Sequence, residues 1–60
     1  MTLQQYKAFG QFKQKFKCIK GTEIRYTLAH SLEHCYSRFS TWNCERVADE
    51  EFEQNYQFTN

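Results

Sequence analysis

Between Thr22 and Phe39 the apolar positions recur with a helical period. At about 100° per residue, Ile24, Leu28, Leu32, Cys35 and Phe39 fall in one narrow arc, with Ala29 and Tyr36 at its edge. The opposite face carries Glu23, His30, Glu33, His34, Ser37 and Arg38. This is the pattern of an amphipathic helix with one buried stripe. The preceding segment reads in the same way. Tyr6, Ala8, Phe9, Phe12, Phe16 and Ile19 cover one side; Lys7, Gln11 and Lys15 lie outside that stripe, and Lys13, Lys17 and Lys20 flank it. Thr2 followed by Gln5 has the spacing of a capping box. Gly10 weakens this helix by about 1 kcal/mol relative to Ala. Gly21 suits the position after a helix C-terminus, and Thr22 suits the N-cap of the next helix. In the last third, Trp42, Cys44, Ala48, Phe52 and Tyr56 share a face, while Glu45, Asp49, Glu50, Glu51 and Glu53 mostly point away from it.

The pattern therefore predicts an all-α protein, a compact three-helix unit over residues 2–20, 22–39 and 42–57 with short connections. It forms a single small domain over residues 1–60, with residues 58–60 frayed. A competing reading exists. Residues 15–20 and 23–28 each alternate, and Gly21–Thr22 between them can turn a β-hairpin. Gly-Thr is a weaker hairpin signal than Asn-Gly, and the helical reading accounts for more residues, so it is preferred.

Size limits what such a chain can bury. A domain of 60 residues buries only about 60% of its unfolded-chain surface and commonly needs a disulfide, a metal or a partner. Six Phe, four Tyr and one Trp outnumber the Leu, Ile and Val residues. Three short helices do not readily hide so many rings, and exposed rings favour a binding face. The net charge of +1 conceals an asymmetry: the basic residues concentrate in residues 1–29 and the acidic ones in residues 30–60. Either the halves attract one another within the fold, or each faces a different partner. No stretch is apolar enough for a membrane span, and no signal peptide is visible. Three cysteines without framework spacing point to free thiols in a reducing, cytoplasmic setting.

Candidate chemistry is sparse. His30 and His34 lie four apart, a helical spacing that can hold a metal, and Cys18 and Cys44 are the weak candidates for further ligands. Cys35 lies in the apolar stripe and reads as a small core residue. No Cys-x-x-Cys pair is present, so the expectation is no metal and no cofactor. No phosphate loop, nucleophile elbow or catalytic carboxylate pair can be assigned, which argues against an enzyme. The expected function is that of a small non-enzymatic regulator or adaptor that binds another protein and can also self-associate into a homo-oligomer. Its contact residues would be Trp42, Glu50, Phe52, Glu53 and Tyr56, aromatic anchors with a charged rim. The alternative is nucleic-acid binding through Lys7, Lys13, Lys15, Lys17, Lys20 and Arg25, with aromatics available for stacking. No membrane partner is expected.

Overall fold

The computed structural model describes residues 1–59 and is not all-α. A short helix α1 (Leu3–Ala8) and a 3-10 turn (Gly10–Phe12) lead into strands β1 (Gln14–Lys20) and β2 (Glu23–Ala29). Helix α2 (Leu32–Arg38), strand β3 (Asn43–Arg46) and helix α3 (Asp49–Asn55) follow. The strands form one antiparallel sheet in the order β2-β1-β3. The three-helix bundle expected over residues 2–20, 22–39 and 42–57 is thus replaced by a sheet with short helices, and the hairpin reading is the one the chain follows.

Gly21 decides the first departure. It adopts φ +61 and no other described residue has a positive φ. Lys20 pairs with Glu23 across it. A two-residue loop with Gly in its first central position, followed by a residue of ordinary φ, matches a type II′ hairpin turn, whose twist suits the flanking strands. The same φ would also have suited a helix C-terminus, which is why the glycine alone did not discriminate.

Each predicted helix breaks at an identifiable place. The first stops at Ala8, where Phe9 leaves the helical region (φ −146, ψ −28) and the 3-10 turn begins at Gly10, whose Cα packs closely enough that a Cβ would lie 3.0 Å from Met1 Sδ and 3.1 Å from Leu28 Cδ1. The second survives only as α2. Its N-cap is Ser31, whose hydroxyl accepts from His34 N at 3.1 Å, and not Thr22. The third loses residues 43–46 to β3. The capping box of α1 is present: Gln5 N donates to Thr2 Oγ1 at 3.1 Å and Thr2 N to Gln5 Oε1 at 3.0 Å. Phe58 packs on Tyr6 and Tyr56, and Thr59 N donates to Met1 O at 2.9 Å, so the described part of the 58–60 tail is tied to the N-terminus. Asn60 lies outside the described residues.

The sheet is covered on both faces. One face bears Phe16, Cys18, Thr27, Ala29 and Cys44, and α2 lays Cys35 on it, with Phe39 and Trp42 packed alongside. The other face bears Lys15, Lys17 and Tyr26 beneath α3. There Phe52 is fully buried and stacks between Tyr6 and Tyr56, with ring centroids 5.6 and 4.8 Å away. Because both faces are covered, Lys15 on one side of β1 is buried as well as Phe16 and Cys18 on the other. Charge follows this layering. Lys15, only 5% exposed, donates to Gln11 O at 2.7 Å and lies 3.3 Å from Asp49. Lys17 approaches Glu51 at 4.0 Å. Basic β1 and acidic α3 are therefore joined within the fold.

Replacing Gly21 with Ala forces an L side chain into a left-handed conformation and is expected to cost about 1–2 kcal/mol. Urea unfolding followed by circular dichroism measures it. An unchanged midpoint would show that the turn does not hold the hairpin register.

Candidate functional site

The phase of the hydrogen-bond ladder determines which backbone groups are free. Val47 N donates to Lys15 O at 3.0 Å, so Lys15 turns its backbone toward β3. By strand alternation Lys17 and Ile19 do the same, whereas Phe16 and Cys18 turn toward β2. On β2 the residues paired with Lys15, Lys17 and Ile19 are Leu28, Tyr26 and Ile24. Their N–H and C=O groups consequently point outward, along the open edge of the sheet.

Helix α2 covers part of both edges. Arg38 Nη1 donates to Leu28 O at 3.3 Å, satisfying the outward carbonyl at one end of β2. On the far edge the Tyr36 hydroxyl accepts from Cys44 N at 3.2 Å and donates to Cys44 O at 3.4 Å. Strand β3 is thus blunted at its centre, as edge strands usually are. Among the described residues nothing bonds the outward groups of Ile24 and Tyr26. A groove of about 610 Å³ runs along that stretch, lined by residues 23–27, Phe39, Asn55, Tyr56 and Gln57. Phe39 forms its wall on the α2 side of the sheet and Tyr56 on the α3 side. Ile24 is 54% exposed beside it.

The expected contact residues do not gather into one patch. Phe52 is core, and Glu53 accepts from the Tyr6 hydroxyl at 2.8 Å. Trp42 lies with Phe39 on the opposite face of the sheet from α3. Glu50 is exposed, and Tyr56 is half-buried in the groove wall. The basic set is likewise divided. Lys15 is buried, Lys17 faces Glu51, Lys20 lies over the Trp42 ring at 6.0 Å and Arg25 is 3.8 Å from Glu23. Lys7 and Lys13 are exposed. Sequence reasoning missed the Ile24–Tyr26 edge because it placed those residues inside a helix. The alternation of residues 23–28 was the signal that contained it.

A second constellation lies under α2. Cys18 Sγ is 3.5 Å from Cys35 Sγ and 3.3 Å from Cys44 Sγ, and all three sulfurs lie within 4.8 Å of one another. Cys18 and Cys44 are register partners of the non-hydrogen-bonded kind, because the Cys44 backbone faces Tyr36. Such pairs bring their Cα atoms to about 4.5 Å. Cys35, expected to stand apart in the apolar stripe, joins them because α2 crosses the sheet directly above. Burial pushes the Cys18 and Cys35 thiols up, although Arg38 partly opposes this at Cys35. His30 and His34, with rings 5.3 Å apart, are exposed and do not belong to the sulfur cluster. His34 Nδ1 already accepts from His30 N at 3.4 Å.

Compared with models of protein families, with curated proteins and with solved structures, the chain matches none. No described helix is long and apolar enough to cross a membrane.

The titration of buried hydroxyls and thiols gives a directional expectation. Burial and the Glu53 hydrogen bond raise Tyr6 above its ordinary 10.0, and partial burial with the Glu51 hydrogen bond raises Tyr26. Cys18 is raised above 9.0. A folded state that holds these protons more tightly than the unfolded chain loses stability as pH rises past the unfolded values. Unfolding free energy should therefore be insensitive to these groups below pH 9.0 and fall above it, more steeply beyond 10.0. Urea titrations across this range check it. In the double variant Tyr6→Phe, Tyr26→Phe the decline beyond 10.0 should be shallower.

Proposed function

We propose that this protein is a small non-enzymatic binding module, and that its β2 edge receives an extended segment of a partner protein. The observation that carries this reading is the groove beside the unbonded backbone of Ile24 and Tyr26. An extended peptide satisfies those groups by adding a strand, and its alternate side chains contact the groove walls. Successive residues of such a segment would meet Phe39 on one face of the sheet and Ile24 with Tyr56 on the other. Glu23 and Arg25 beside the same edge offer one charge of each sign for register. Of the residues named from the sequence, Tyr56 is retained as a contact. Glu50, Glu53 and Trp42 lie outside the lining of this groove, and Phe52 supports Tyr56 from below. Three free thiols suit a reducing, cytoplasmic setting.

Nucleic-acid binding has weaker support. Four of its six candidate cations are engaged by carboxylates or an aromatic ring within the fold, and β alternation places them on both faces of the sheet. A second copy of the chain is the other occupant the edge would accept.

Ile24→Pro separates these readings. Its N–H points away from β1, so proline removes an outward donor and spares the ladder, a position edge strands tolerate. The expected result is that a tagged protein captures a stoichiometric partner from nuclease-treated lysate, and that Ile24→Pro loses it while keeping its circular dichroism spectrum. Hydrogen exchange at the Ile24 and Tyr26 amides should slow at least tenfold in the complex. Loss of every partner on nuclease treatment would move the assignment to nucleic acid. A wild-type dimer by light scattering that Ile24→Pro dissociates would identify a second copy as the occupant.

A further inference from the structure

We propose that Cys18, Cys35 and Cys44 form a three-thiolate site for one soft monovalent metal ion of the Cu(I) class. The argument is independent of the β2 edge.

The donor set is the first reason. Three sulfurs lie within 4.8 Å of one another, and among the described residues no imidazole or carboxylate joins them. Cys44 Sγ also approaches the Trp42 carbonyl oxygen, at 4.0 Å. Soft thiolates without harder donors favour soft ions. Metal–thiolate bonds of about 2.3 Å in a planar triangle set the sulfurs about 4.0 Å apart. The separations of 3.3 and 3.5 Å are somewhat shorter than that value, and the third is at most 4.8 Å, so small side-chain shifts open the triangle. Structural zinc takes four ligands in a tetrahedron, and among the described residues no fourth His, Cys, Asp or Glu joins the three sulfurs.

Placement is the second reason. The ligands come from β1, α2 and β3, one each. An ion held among them would link the central strand, one edge strand and the covering helix. The core on this face is small, with Phe16, Cys18, Ala29 and Cys35 fully buried and Phe39, Trp42 and Cys44 beside them. A domain of this size gains most from such a link. Arg38, three residues after Cys35 on α2, is a cation that acts on the Cys35 sulfur. Each ligating sulfur gives up its proton to solvent as its metal bond forms. The ion remains in its monovalent state, and Arg38 offsets part of the negative charge that results. Phe39 and Trp42 shield the cluster from water.

The test is an anaerobic titration of the reduced, full-length protein with Cu(I), against the chromogenic chelator bathocuproine disulfonate. One ion per chain is expected. X-ray absorption at the copper edge should show three sulfurs at about 2.3 Å and no nitrogen or oxygen ligand. Cys35→Ser and, separately, the half-buried Cys44→Ser should each weaken Cu(I) binding at least 100-fold. The wild-type spectrum keeps the test decisive if either variant fails to fold. A different stoichiometry, a two-sulfur shell, or affinity unchanged in a folded variant would overturn the proposal. So would Zn(II) displacing bound Cu(I) at equal concentration.

Discussion

The strand Gln14–Lys20 pairs with β2 along its length and with β3 over Phe16–Ile19, and its central side chains are covered on each face. Everything else takes its position from that strand. Even-numbered residues of β1 turn their backbone to β2 and their side chains to α2, so Phe16 and Cys18 become core. Odd-numbered residues turn to β3 and to α3, so Lys15 and Lys17 meet Asp49 and Glu51. A slip of one residue would exchange the two sets, burying lysines against the thiols. The Gly21 turn opposes that slip because it fixes Lys20 against Glu23.

Buried Lys15 shows how the charged side of the sheet is held. Its ammonium group is bonded to the Gln11 carbonyl at 2.7 Å and to the Lys13 carbonyl at 3.3 Å, and it lies over the Tyr6 ring at 5.6 Å. Asp49 completes the set, but its side chain is 73% exposed, so solvent screens much of that attraction. The backbone carbonyls are therefore the firmer partners. They also tie the 3-10 turn to β1 and so position α1 beside α3. Tyr6 is locked between the same two helices by Phe52 and by Glu53.

Helix α2 performs several tasks with few residues. Cys35 enters the sulfur cluster, Tyr36 saturates the centre of the β3 edge, and Arg38 saturates one end of the β2 edge. Seven residues placed across a sheet can reach both edges because three strands are narrow. What α2 does not reach is Ile24–Tyr26, and that is where the groove lies. The open edge and the thiol cluster thus follow from one geometric fact, the position of α2 across one face.

Much of the local chemistry was legible in the chain. The Thr2–Gln5 capping box, the free thiols and the helical character of residues 32–38 depend on short spacings or on composition, whereas the charge asymmetry left open whether the halves would meet each other or a partner. The helical reading of residues 14–29 failed because Phe16 and Ile19, and likewise Ile24 and Leu28, fit a period of 3.6 although they stand on paired strands. Gly21 suited either outcome. Only tertiary structure chose between them, because pairing β1 with β3, more than twenty residues away, covers a strand that no local pattern could show to be central. The gathering of Cys18, Cys35 and Cys44 depends on the same long-range pairing. The sequence by itself determined which residues could cap, turn and carry charge, since those properties reside in single side chains and near neighbours. The tertiary structure alone decided which edge stayed open and which sulfurs met, since both are set by the register between distant segments.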